Sequence, residues 1–179
     1  MARSSAGALL FLIAGIGLVF ANALGGSFHY DDFHSLVLNP HVRSWENAAS
    51  FFTDPSLFSV DPTKAMYRPL VLLTYTVNHA LGGYSATGYL FVNLVLHLGC
   101  ALLVWALAGR LGAKPAGALW GAALFGLYPL CTEPVNYVSS RSESLAVLFQ
   151  LVSLYCFLTG DTLRRRGVGW LSFMLALLS

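Results

Sequence analysis

Asp31 and Asp32 stand side by side in Tyr30-Asp31-Asp32-Phe33-His34, directly after the first long apolar run of the chain. Adjacent carboxylates suit three roles: a general base, a metal site, or a plain solvated loop. The neighbours His29, Tyr30 and His34 favour a functional site. A metal site would want more ligands at fixed spacing, and the sequence offers none, so no metal is expected. Charge beside a membrane is costly to hold and is often kept for chemistry.

A second polar group lies far downstream, in Thr132-Glu133-Pro134-Val135-Asn136-Tyr137-Val138-Ser139-Ser140-Arg141-Ser142-Glu143. Helical spacing places Glu133, Asn136 and Tyr137 on one face. Arg141 opens the apolar run that follows, and a guanidinium there can hold a phosphate arriving from the lipid layer. The plain alternative is a loop in which Arg141 pairs with Glu133 or Glu143. Tyr67-Arg68-Pro69 forms a third group. Pro69 suits a first helical turn, and Arg68 can snorkel to lipid headgroups. Asn93 and His97, one turn apart within an apolar run, read as an interhelical tie. Gly117 and Gly121 read as a close-contact face between helices.

These groups must be positioned by membrane helices. Of the 179 residues 56% are hydrophobic and only 10% charged, against about 25% charged in an average soluble protein. Mean hydropathy is +0.66. The chain reads as an all-α polytopic membrane bundle. The net charge of +2 and the lack of a basic stretch interleaved with aromatics exclude a nucleic-acid partner. Cys100, Cys131 and Cys156 show no CxxC spacing and give neither a disulfide framework nor a zinc site.

Spans are expected at about 7–24, 89–111, 116–130 and 144–159, with another beginning at 168. The first reads as an uncleaved anchor rather than a signal peptide, because Ala21-Asn22-Ala23 is a weak cleavage pattern. Residues 25–88 form a large first outer loop. Within it Trp45, Ala48, Ala49 and Phe52 recur at the spacing of a short surface helix, and 70–81 reads as interfacial. This layout puts Arg3, Arg110, Lys114, Arg164, Arg165, Arg166 and Asp161 on the cytoplasmic side. Arg43, Lys64, Arg68 and Arg141 fall outside, in accord with the positive-inside rule. The N-terminus is then cytoplasmic, and the acidic pair shares the outer face with residues 131–143. The apolar run from Val168 to Ser179 is short for a span, so the chain reads as the N-terminal part, 1–179, of a longer protein.

The motifs Tyr30-Asp31-Asp32, Asn39-Pro40-His41-Val42, Tyr67-Arg68-Pro69-Leu70 and Gly88-Tyr89-Leu90-Phe91-Val92-Asn93 occur in that order. They are followed by Leu127-Tyr128-Pro129-Leu130-Cys131-Thr132-Glu133-Pro134 and Arg141-Ser142-Glu143. Together the series resembles the transmembrane and tetratricopeptide-repeat group of the GT-C glycosyltransferase superfamily, the protein O-mannosyltransferase-like proteins. The resemblance implies an inverting transferase. It would move a sugar, commonly mannose, from a polyprenyl- or dolichyl-phosphate to an acceptor hydroxyl on the extracytoplasmic or lumenal face. Expected partners are membrane lipid, the lipid-linked donor and an acceptor protein or glycan; no cofactor is expected beyond the donor itself.

Carried onto this chain, the resemblance makes Asp31 the base and Asp32 its partner. Arg141 and then Arg68 would hold the donor phosphate, with His34, Tyr67, Glu133, Asn136 and Glu143 in support. The base is expected to titrate near or slightly above the free value of about 3.9. The membrane would be the bacterial inner membrane or the endoplasmic reticulum. Three positions depart from the pattern. Tyr128 and Cys131 stand where histidines are common, and Ser140 stands where glycine is usual. The alternative is a non-catalytic anchor for tetratricopeptide repeats beyond Ser179. This part is not expected to be active alone.

Overall fold

The computed structural model describes residues 2–160 and 162–179, with side chains from Gly7 onward, so Asp161 and the side chain of Arg3 lie outside the described residues. Seven α-helices carry the architecture: α1 (Ala2–Val19), α2 (Pro69–Gly82), α3 (Ala86–Arg110), α4 (Pro115–Leu127), α5 (Thr132–Asn136), α6 (Arg141–Leu158) and α7 (Leu163–Leu177). Among the described residues there is no strand. Among the described residues three segments are long and apolar enough to cross a membrane: Gly7–Gly25, Ala86–Arg110 and Val138–Leu158. The protein is therefore an all-α membrane helix bundle.

Local chemistry sets the helix ends. Pro69 and Pro115 occupy first turns, where a missing N–H costs nothing. α2 stops at Gly83 (φ 59°), and the turn after α3 passes through Gly112 (φ 88°), conformations that glycine adopts without strain. Thr162 caps α7 by accepting from the Arg165 N–H.

Between α1 and α2 the chain forms a run of short turns instead of long helices. The surface helix expected across Trp45 to Phe52 is absent. Two 3-10 turns, Trp45–Asn47 and Ser50–Phe52, stand in its place. Ser44 caps the first turn through Glu46 N, and Asp54 begins the next turn through Ser56 N at 2.9 Å. Each of these side chains caps the N-terminal end of its turn. The inward residue is Phe51, while Trp45 and Phe52 are exposed.

Two cores result. Leu36, Val42, Phe51, Val71, Tyr75 and Val138 pack the water-facing end. Burial of each such side chain there stabilises the fold by about 1.5–3 kcal/mol. Leu12, Ile16, Phe20, Ala101 and Ala122 pack the membrane part, where fit and polar ties replace the hydrophobic effect. α3 threads both, with Leu90 in the first and Leu94 in the second. His97 ties α3 to α4 through the Gly126 carbonyl at 2.9 Å. The close helix approach is also at Gly126, where an added Cβ would run into Ile16. Nothing lies within 4 Å of a Cβ built at Gly117 or Gly121, so the expected small-residue contact is not made there.

Candidate functional site

The site begins at a strained turn. Tyr30 has φ 39°, an unusual conformation for an aromatic residue, and its side chain is 87% exposed. The turn closes through Asp32 N to the His29 carbonyl at 2.9 Å, and His29 N returns a bond to Asp32 Oδ2 at 2.9 Å. This geometry sends the two carboxylates in opposite directions. Asp32 is fully buried, whereas Asp31 is exposed. A single π-helical turn, Phe33–Val37, follows, a rare element common near functional sites.

Asp32 staples two distant segments. Its Oδ1 accepts from Ser139 N at 2.8 Å and from Ser139 Oγ at 2.6 Å. Burial pushes its carboxyl pKa up, and the hydrogen bonds from Ser139 and His29 offset that only in part. Asp31 has the reverse balance. Its small burial is outweighed by hydrogen bonding to His34, Lys64 and Tyr137 and by the Lys64 charge, so its pKa is lowered from the ordinary carboxylate value. That corrects the expectation of a normal or raised value. Asp31 Oδ1 lies 3.1 Å from His34 Nε2 and 3.3 Å from Lys64 Nζ. The second His34 nitrogen meets Ser59 Oγ at 2.8 Å, which fixes the ring. Tyr137 Oη accepts from Asp31 N at 3.0 Å.

Asp31 opens onto a cleft of about 370 Å³. His34, Lys64, Arg68, Glu133, Tyr137, Ser142 and Glu143 line it with Asp31. Glu133 and Tyr137 share the wall because Tyr137 continues the turn of α5, its N–H bonding the Glu133 carbonyl at 3.0 Å. Arg68 donates through Nη1 to Ser142 Oγ at 2.9 Å and stacks over Phe58. Among the described residues no three His, Cys, Asp or Glu side chains converge as a metal cluster.

Four expected site residues lie off the cleft wall: Asp32, buried against Ser139, and three more. Arg141 is fully buried, and its guanidinium is spent inside the protein. Nε donates to Asn93 Oδ1 at 2.9 Å, and Nη1 to Asn78 Oδ1 at 2.7 Å and Thr74 Oγ1 at 3.2 Å. Nη2 donates to the Tyr89 carbonyl at 2.8 Å. The cation also stacks against the rings of Tyr75 and Tyr89. It therefore braces α2, α3 and α6, and it is corrected from phosphate ligand to structural hub. Tyr67 donates to the Phe52 carbonyl at 3.0 Å and supports the loop from outside the cleft wall. Asn136 also lies off the cleft wall; its Oδ1 is buried without a partner.

Lys64, Ser59, Ser139 and Ser142 complete the site and were not singled out from sequence. Lys64 ends the turn Pro62–Lys64, which Asp61 caps through Thr63 N at 3.0 Å. Asp61-Pro62-Thr63-Lys64 carries a turn signal but none for where the lysine lands. The serines carry none.

The fold and the site thus define an all-α membrane bundle with a polar cleft that gathers three carboxylates, Asp31, Glu133 and Glu143, two cations, Lys64 and Arg68, and several hydroxyls. The chain is 30% identical over 146 residues to protein O-mannosyl-transferase tmtc2 of Xenopus laevis, covering 79% of this chain and 17% of that protein. It is 30% identical over 156 residues to protein O-mannosyl-transferase TMTC4 of Homo sapiens, covering 76% and 21%. A Caenorhabditis elegans protein O-mannosyl-transferase is 31% identical over 153 residues, covering 82% and 22%. The chain thus spans about a fifth of the length of the curated relatives it matches. No family profile and no solved structure matches it. By sequence the chain is a homologue of the protein O-mannosyl-transferases, the group that its ordered motifs resemble.

Proposed function

We propose that the cleft transfers a sugar, mannose by the names of its relatives, from a polyprenyl or dolichyl phosphate to an acceptor hydroxyl. The acceptor is a protein Ser/Thr or a glycan. Asp31 takes the proton as the acceptor oxygen attacks the anomeric carbon. The bond from that carbon to the phosphate oxygen breaks, and its electron pair leaves with the lipid phosphate. Arg68 and Lys64 stabilise the departing anion. A single displacement inverts the anomeric centre, the outcome expected of a GT-C enzyme. The donor brings its own leaving group, so the step requires no cofactor.

The observation that carries this reading is the shared cleft. Asp31, Lys64 and Arg68 line one wall system with Glu133 and Glu143, from segments far apart in the chain. Orientation follows from charge. α3 runs from Asn93, bonded to the Tyr137 carbonyl beside the cleft, to Arg110 at its far end. Arg164, Arg165 and Arg166 begin α7 after α6 has run the same way from Arg141. The positive-inside rule makes that far end cytoplasmic and the cleft extracytoplasmic or lumenal, in a bacterial inner membrane or endoplasmic reticulum.

The test is transfer from purified polyprenyl-phosphate mannose by the full-length protein in liposomes. Asp31→Asn is expected to lower the rate by about 10²- to 10⁴-fold, with membrane insertion unchanged. Turnover near that of the parent removes Asp31 as the base, and transfer of glucose in preference to mannose corrects the sugar.

A further inference from the structure

The reaction as proposed gives His34 no role, yet the structure holds its ring from both edges. The side chain is only 12% exposed, against 54% for the Asp31 carboxylate that it meets. It stands on the π-helical turn Phe33–Val37. Val60 N donates to the His34 carbonyl at 3.1 Å, which sets Ser59 and Val60 in register with that turn. Asn39, fully buried, tightens the same junction. Its Nδ2 donates to the Ser35 carbonyl at 3.1 Å and to the Leu57 and Phe58 carbonyls at 2.9 and 3.2 Å.

The bonds around the ring assign its hydrogen. Ser59 Oγ accepts from Asp61 N at 2.9 Å and meets His34 Nδ1 at 2.8 Å. A hydroxyl has one hydrogen to give, and among the described residues Nδ1 is the acceptor in reach of it. The Ser59 hydroxyl therefore donates to Nδ1. A neutral imidazole that accepts at Nδ1 carries its hydrogen on Nε2. Nε2 stands 3.1 Å from Asp31 Oδ1 and donates to it. Lys64 Nζ, 3.3 Å away, meets the same oxygen. Among the described residues Oδ2 takes no bond as short as these.

We infer that His34 is a positioning residue of the transfer: held by Ser59 as the Nε2–H tautomer, it pins Asp31 Oδ1 and leaves Oδ2 to take the acceptor proton. The inference rests on Asp31 as the base, as proposed above. The proton passes from the acceptor hydroxyl to Oδ2, while the Nε2 hydrogen stays on the imidazole throughout. Lys64 does not replace His34 in this, because an ammonium on a flexible stem supplies charge without fixing direction.

Two substitutions separate aiming of the base from bracing of the loop. An asparagine places its amide near Nδ1 and keeps a bond to Ser59, whereas a glutamine places its amide near Nε2 and keeps a donor for Asp31. The assay is transfer from polyprenyl-phosphate mannose by the full-length protein in liposomes. His34→Asn is expected to lower kcat about 10²-fold and His34→Gln only about tenfold, with KM for the donor unchanged in both. A loop brace reverses that order, since the bond to Ser59 is the one that joins the two segments. Nitrogen-15 NMR of histidine-labelled protein at about pH 8, where ordinary imidazole is neutral, is expected to show hydrogen on Nε2 and none on Nδ1. The His34 signals are identified by their loss in His34→Gln.

Hydrogen on Nδ1, equal loss of rate in the two variants, or a His34→Asn rate equal to the parent's overturns the positioning role and leaves the proposed reaction standing. Parent-like turnover by Asp31→Asn overturns the base and its aim together. Should either variant fail to insert and fold, the tautomer read on the parent protein decides alone.

Discussion

Replacing Arg141 by alanine separates a structural hub from a phosphate ligand. The substitution leaves four acceptors without their donor: Asn93 Oδ1, Asn78 Oδ1, Thr74 Oγ1 and the Tyr89 carbonyl. Each buried acceptor left unpaired costs about 1–3 kcal/mol. Loss of the stacking on Tyr75 and Tyr89 adds about 1 kcal/mol apiece. Against this, the variant no longer buries a cation among neutral partners, which returns several kcal/mol. The net expectation is a loss of about 3 kcal/mol, or about 10 °C in Tm for a unit of this size. Cys100 is buried, so reaction of its thiol with a fluorogenic maleimide during heating reports unfolding of the bundle directly. Below the transition, donor affinity should match that of the parent. A variant that melts within about 1 °C of the parent yet has lost donor affinity would refute the placement of this side chain inside the helix junction.

The remaining expectations concern the carboxylates and the helix crossing. Asp32→Ala leaves His29 N and both Ser139 donors unpaired, so it should lower stability by about 2–4 kcal/mol and activity together. Asp31→Asn should lower activity alone, and thermal melts of the pair decide this. Because the Asp31 pKa is lowered from the ordinary carboxylate value, its base form persists to lower pH than that of a free carboxylate. The kcat/KM profile from pH 8 to 5 should therefore show no acid limb from Asp31. A limb within that range would assign the base role to another group. Gly126→Ala forces a methyl into Ile16 and should cost about 1–3 kcal/mol, while Gly117→Ala and Gly121→Ala should leave the melting temperature unchanged.

Much of the bundle was legible because apolar runs and proline punctuation are one-dimensional signals. The first membrane segment, α3 and α6 follow from them. The joint placement of Glu133 and Tyr137 was legible from helical spacing, and the prominence of Asp31 from its position. The role of Arg141 was not, because a guanidinium opening a helix can face the cleft or the interior with the same neighbours in sequence. Its acceptors Thr74, Asn78, Tyr89 and Asn93 come from α2 and α3, and only tertiary structure shows that they converge. The same limit hid Lys64, whose role depends on where the Pro62–Lys64 turn lands. The Trp45 to Phe52 periodicity misled because the segment forms two separate 3-10 turns, Trp45–Asn47 and Ser50–Phe52, that bury only Phe51. Helix spacing also put Asn136 on the working face, although only Glu133 and Tyr137 of that trio reach the cleft.

The bond from Asp32 to Ser139 has a consequence for biogenesis. The two residues are 107 positions apart, with α3 and α4 between them. While the ribosome is still making those helices, the acidic turn has emerged but its clasp does not yet exist. The turn that carries Asp31 and Asp32 acquires its brace only after the later segment has been made and folded back.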